Sequence, residues 1–146
     1  MKGILFLCVA NSARSQIAEG VARSIAPPDI KVWSAGSKPT SVRPEAIAVL
    51  KEIGVDISEH RSKHMSEISP AEVDTVITLC GEEECPLFLG KAERLHWGLP
   101  DPAAVQGSEQ ERLDAFRETR DELCKRLTEF FNNSGGNTKH KCSCCC

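Results

Sequence analysis

At 146 residues and 16.0 kDa the chain is the size of one ordinary domain, and its 40% hydrophobic and 27% charged residues exclude both a disordered and a collagen-like polymer. Eighteen basic residues against 21 acidic ones leave a net charge of -3, which gives no general attraction to nucleic acid or to an anionic membrane, so any bound anion must be held locally. Of the eight cysteines, Cys8, Cys80, Cys85 and Cys124 are scattered while Cys142, Cys144, Cys145 and Cys146 crowd the end, unlike the even spacing of a disulfide scaffold.

In chain order, the apolar run Ile4 to Val9 predicts a buried parallel strand. Its place near the start imitates a signal peptide, but the run is short, no small-residue cleavage site follows, and Leu7 is too large for a lipoprotein-type Cys8. No stretch approaches the roughly 20 apolar residues that span a bilayer, so a reducing cytoplasm is expected, where scattered cysteines are more often catalytic or redox-active than structural. Ile17, Ala18, Val21, Ala22 and Ile25 share one helical face, ended by Pro27 and Pro28. Ile30 to Ala35 predicts a second strand with a turn at Gly36, and Pro44 to Ile53 a helix that starts at proline and is capped by Gly54. Val73 to Leu79 and Arg94 to Trp97 predict two more strands. Glu109 to Phe131 predicts a long helix with Leu113, Phe116, Leu123, Leu127 and Phe130 at helical spacing. This alternation predicts an α/β fold: a four-stranded parallel open sheet with helices on both faces. Residues 1–131 make up that domain, and 132–146, opened by Asn-Asn-Ser-Gly-Gly-Asn, a flexible Cys-rich tail.

The segment Cys8-Val9-Ala10-Asn11-Ser12-Ala13-Arg14-Ser15 joins the first strand to the first helix, so its N–H groups and the helix N-terminus converge above Cys8 as an anion cradle. The helix dipole and Arg14 both favour a thiolate at Cys8. Arg14 brings a planar fork for two oxygens of a tetrahedral oxyanion, and Ser15 a donor for the sulfur. The plain alternative is a buried strand-end cysteine with a surface arginine nearby. Against it stands the joint occurrence of cysteine, arginine and serine at a strand-to-helix junction.

These residues resemble the cysteine-x5-arginine loop of the low-molecular-weight protein tyrosine phosphatases and of the thioredoxin-coupled arsenate reductases built on the same fold. The resemblance extends over Asn11-Ser12-x-Arg14-Ser15-Gln16-x-Ala18-Glu19-Gly20, Ser34-Ala35-Gly36, Asp56-Ile57-Ser58, Val76-Ile77-Thr78-Leu79-Cys80, and His96-Trp97-Gly98 followed by Asp101-Pro102-Ala103. It implies a flavodoxin-like topology, oxyanion binding by Val9, Ala10, Asn11, Ser12, Ala13, Arg14 and Ser15, and Asp101, between Pro100 and Pro102, as general acid.

Cys80 closes the third strand and Cys85 follows in a loop too polar for core. Read from residues alone, the pair is one buried and one incidental surface cysteine, half of a zinc site without its partner half, or a redox pair. The reductase branch resembles this chain in carrying a cysteine at each place, whereas the phosphatases typically have tyrosines after the Asp-Pro pair and this chain has no tyrosine. The resemblance thus implies reduction of arsenate to arsenite by a Cys8/Cys80/Cys85 disulfide relay regenerated by thioredoxin, in a monomer. No metal or organic cofactor is expected, and no nucleic acid or membrane partner. In some such reductases the positions of Asn11, Glu19 and Ser34 bind potassium; here Lys63 stands where those members carry an acid, and its ammonium is expected in the cation's place. Cys124 is expected in the core, and His60, His64 and His96, which lack partners at ligand spacing, in structural or surface roles. The tail cysteines fit a soft-metal or trivalent-arsenic binder, an electron feed, or an unselected terminus. The competing functions are therefore a phosphatase and a thiol-rich arsenite- or metal-sequestering protein.

Overall fold

The computed structural model describes residues 2–80, 88 and 90–133, so Cys85 and the four tail cysteines lie outside the described residues. β1 (Gly3–Cys8) is buried along its whole length and lies inside a four-stranded parallel sheet of order β2-β1-β3-β4, with β2 at Lys31–Gly36, β3 at Thr75–Thr78 and β4 at Glu93–His96. An unbroken apolar run suits a strand covered on both faces. β4, with Glu93 and Arg94 exposed, is the kind of short, charged strand that tolerates a sheet edge.

Three helices pack on one face: α1 (Arg14–Ile25), α2 (Pro44–Lys51) and α3 (Glu109–Asn133). Ala26 turns extended ahead of Pro27 and so stops α1, while Pro44 at the first position of α2 surrenders an N–H that had no helical partner anyway. Ile17, Val21, Leu50, Phe116, Leu123 and Leu127 meet Ile4, Phe6 and Ile77 of the sheet, and Leu79 just past β3, in one buried cluster. Each such large side chain contributes roughly 1.5–3 kcal/mol on burial. The alternate residues Leu5, Leu7 and Val76 face the other way, under Ile68, Val73 and Phe88, with two 3-10 turns at Met65–Glu67 and Pro70–Glu72. Both faces are thus covered by helical structure, though unequally. The turns were not foreseen, because three residues carry no readable period.

The chain runs from β1 through α1 to β2 on one side, then crosses to β3 on the other. The crevice where strand order reverses therefore opens at the carboxyl ends of β1 and β3. Cys8 ends β1 and Cys80 lies just beyond β3. Gly36 ends β2 directly under the segment after Cys8: a Cβ there would sit 2.3 Å from Val9 O and 2.9 Å from Cys8 O, both backbone atoms that cannot step aside. Gly36→Ala should therefore cost about 1–3 kcal/mol, the usual range for overpacking, with a lower midpoint in chemical denaturation. An unchanged midpoint would mean that the segment yields freely.

Candidate active site: the loop after β1

Four consecutive carbonyls of the segment after Cys8 are tied outward. Val9 O accepts from Lys38 N (2.9 Å), Ala10 O from Thr40 N (3.1 Å), Asn11 O from Ser62 Oγ (2.6 Å) and Ser12 O from Arg43 N (2.9 Å). Among the described residues, no N–H of residues 9–13 donates a hydrogen bond. With every carbonyl committed to the scaffold, the amides are left for a ligand. α1 adds its own first-turn N–H groups, having neither a capping side chain nor an acidic residue in its first turn.

Asn11 bends the chain through φ of +50°, a left-handed conformation that asparagine tolerates better than most residues. Its Oδ1 accepts from Lys63 N (3.0 Å), which fixes the amide orientation, so Nδ2 donates to Ser15 Oγ (2.7 Å). The hydroxyl proton of Ser15 is then available to Cys8 Sγ, 2.9 Å away. Asn11 thus braces Cys8 through Ser15.

Arg14 is 5% exposed, and its Nη1 donates to Leu99 O (2.9 Å) and Leu79 O (3.3 Å), main-chain atoms following β4 and β3. This fastens the guanidinium across the crevice, with Nη2 4.0 Å from Asp101 Oδ2. Asp101 Oδ1 accepts from Ala103 N (2.9 Å), capping a 3-10 turn at Pro102–Ala104, and this leaves Oδ2 toward Arg14. Cys8, Val9, Ala10, Ser12, Ala13, Arg14 and Asp101 line one cavity of about 230 Å³. A larger groove of about 440 Å³ adjoins it across Asp101, and no cysteine is among its described lining residues. Cys8 and Cys80 are both buried free thiols. Of the residues singled out from sequence, Cys8, Val9, Ala10, Ser12, Ala13, Arg14 and Asp101 converge. Asn11 and Ser15 brace the loop from beside it, Cys80 sits one residue past the Arg14 anchor, and Cys85 lies outside the described residues. Cys124 is buried in the core on α3, as expected, but is disulfide-bonded.

Sequence reading missed the support behind the loop. Gln16 Nε2 donates to Asn11 O, Asn11 Oδ1 and Arg61 O, so its Oε1 accepts from His60 Nδ1 (3.0 Å). His60 is thus a half-buried brace. Glu19, 3% exposed, accepts from Ser34 Oγ and faces Arg23 Nε (3.0 Å), His60 Nδ1 (3.6 Å) and Lys63 Nζ (3.7 Å). The buried carboxylate is compensated by side chains, as a charge in that setting must be. Asn11, Glu19 and Ser34 do stand together. Because the Lys63 ammonium already lies against that carboxylate, these residues do not fit a bound potassium ion.

Two predictions follow from this support. The melting temperature should be the same in potassium and sodium salts, and Lys63→Asp should introduce a preference for potassium; a potassium-specific gain in the wild type would refute the substitution. Burial pushes the His60 imidazole below its ordinary value of 6.5, outweighing the opposite pull of Glu19. The unfolded chain therefore binds more protons, and the stability held above about pH 6.5 is lost as pH falls toward the lower folded value. Melting curves from pH 7.5 to 5 should fall less steeply for His60→Gln, whose amide can still donate to Gln16. Parallel slopes would sink the assignment.

The comparisons with known proteins agree with this geometry. The chain matches the family described as low molecular weight phosphotyrosine protein phosphatase over residues 3–140. It is 42% identical over 131 residues to an arsenate reductase of Halalkalibacterium halodurans, covering 88% of this chain and 94% of that protein. Among solved structures, an arsenate reductase in its phosphate-binding state superposes with a TM-score of 0.75 at 33% identity, covering 90% of this chain and 98% of the other. A thioredoxin-dependent arsenate reductase of Corynebacterium glutamicum gives 0.60 at 30% identity, covering 89% of this chain and 63% of that one. With its Cys8 loop at the switch point of a 2-1-3-4 sheet, the chain belongs to the low molecular weight phosphotyrosine protein phosphatase family.

Proposed function

We propose that this protein is an arsenate reductase. The observation that carries the reading is the second free thiol: Cys80 follows Leu79, whose carbonyl accepts from the same Arg14 that borders the oxyanion cavity. Hydrolysis of a phosphoester needs one thiol at this crevice; reduction needs a second close by. The arsenate reductases among the relatives support the same choice.

Arsenate, a tetrahedral oxyanion, suits a cavity of about 230 Å³ floored by loop amides. The Cys8 thiolate, stabilised by Ser15, attacks arsenic(V), while the amides and the Arg14 fork hold the oxygens and Asp101 protonates the departing hydroxide. The Cys80 thiolate then attacks Cys8 Sγ. The sulfur–arsenic bond breaks with its electron pair staying on arsenic, which leaves as arsenite, and the two thiols become one disulfide. Cys85 attacks Cys80 in turn, freeing Cys8 and presenting Cys80–Cys85 to a dithiol donor. Thioredoxin, with a potential near -270 mV, suits that role, and the thioredoxin-dependent relative supports it. No helix among the described residues is long and apolar enough to cross a membrane. The reducing chemistry fits a cytoplasmic setting.

The test is arsenite production from arsenate with thioredoxin, thioredoxin reductase and NADPH. Cys8→Ser should be inactive, and Arg14→Lys should fall by at least about tenfold, because a point charge cannot replace the planar fork. Cys80→Ser should lose arsenite formation while retaining hydrolysis of a simple aryl phosphate; equal arsenite from that variant and the wild type would return the chain to the phosphatases. Cys85→Ser should release about one arsenite per enzyme and accumulate a Cys8–Cys80 disulfide visible by peptide mapping. If it cycles at the parent rate, the three-cysteine relay is wrong.

A further inference from the structure

Among the described residues Cys124 is the cysteine already oxidised: it is disulfide-bonded, whereas neither Cys8 nor Cys80 is. Its partner is therefore Cys85, Cys142, Cys144, Cys145 or Cys146, all outside the described residues. Cys124 is wholly buried on the helical face of the sheet, in the cluster that holds Ile4, Phe6 and Ile77. On α3 it continues a stripe with Arg117 and Arg120. Arg117 Nη2 and Arg120 Nη1 reach Glu52 at 2.7 and 2.8 Å, and Arg120 Nη1 also donates to Val49 O (2.9 Å), so the stripe faces the end of α2.

Cys85 belongs to the other side of the molecule. In sequence it falls three residues before Phe88, which packs with Leu5, Leu7 and Val76 on the opposite face of the sheet. Three residues of chain reach at most about 11 Å, and the sheet stands between Phe88 and Cys124. The tail starts closer. α3 runs nine residues past Cys124 to Asn133, about 14 Å of helix. The nine residues from Asn133 to Cys142 can span up to about 30 Å, more than enough to return. Lys139, His140 and Lys141 precede the cysteine cluster, and basic neighbours favour the thiolate, the form that attacks a disulfide.

We propose that Cys124 and a cysteine of the 142–146 cluster form a second disulfide, separate from the catalytic relay, that ties the tail back along α3. The inference does not depend on the reductase reading. The oxidant is a small disulfide such as oxidised glutathione. Because Cys124 is buried, the tail thiolate meets the oxidant first, forms a mixed disulfide and releases one glutathione. The Cys124 thiolate, as the end of α3 opens locally, then attacks the tail sulfur. The bond from that sulfur to glutathione breaks, and the second glutathione leaves as a thiolate that takes up the proton Cys124 lost. Two protein thiols are oxidised and one small disulfide is reduced to two thiols, so the electrons balance. In a reducing compartment a bond of this kind is transient, which makes the tether redox-dependent.

The experiment equilibrates the full chain with oxidised glutathione, alkylates the remaining thiols and digests with trypsin without reduction. Cys124 then lies in the peptide 121–125, the tail cluster in 142–146, and Cys80 and Cys85 together in 64–91. A link between 121–125 and 142–146 is expected. A link between 121–125 and 64–91, or a Cys124 that carries the alkylating group or glutathione, overturns the proposal. Melting curves supply a second measurement. Oxidation should raise the melting temperature of the wild type by about 5 °C or more, the order expected for closing a loop of this size. That gain should vanish when Cys142→Ser, Cys144→Ser, Cys145→Ser and Cys146→Ser are combined, changes that lie wholly outside the described residues. A serine-tailed chain that keeps the full gain overturns the assignment of the tail as partner.

Discussion

A loop that binds an anion through its amides must find another use for its carbonyls, and that constraint organises this molecule. The four carbonyls of Val9 to Ser12 are taken by Lys38, Thr40, Arg43 and Ser62, which come from the chain leaving β2, the start of α2 and the segment before β3. Those donors are in place only because the sheet order brings β2 beside β1 and because Gly36 lets its strand end come within contact of the loop. Each bond alone is worth about 1 kcal/mol. Their collective effect is orientation: the loop's hydrogen-bonding capacity is pre-sorted, with the acceptors engaged by the protein and the donors left to the cavity. Pre-sorted dipoles need no rearrangement when charge develops on a bound oxyanion.

Behind the loop the same economy appears with charge in place of dipoles. Glu19 is buried and would be costly alone, yet Arg23, Lys63 and His60 surround it, and Gln16 links His60 back to Asn11. Removing one partner from such a cluster usually costs about 3–5 kcal/mol, since the carboxylate remains. The loop conformation, including the left-handed Asn11, is held by this cluster as much as by the sheet.

Much of this was legible in the sequence, unevenly. The unbroken run after Met1, the stripe from Ile17 to Ile25 and the alternation of periods gave the parallel sheet, because side-chain period and burial are coupled in every regular element. Cys8, Arg14 and Asp101 were legible because a thiol, a fork and a proline-flanked acid at strand ends are costly to explain otherwise. What stayed hidden was long-range: Lys38, Thr40 and Arg43 act through their main-chain N–H, which no side chain advertises. His60 read as a structural or surface histidine because its partners, Gln16 and Glu19, lie some forty residues away. Segment ends also shifted: β3 stops at Thr78, where a strand to Leu79 was expected, although Leu79 still donates to Leu7 O and accepts from Leu99 N.

Arg14 leans on the main chain of residue 79 and on no side chain there. That anchor is a main-chain oxygen, so a substitution at position 79 that leaves the backbone in place leaves this hold on the guanidinium in place as well.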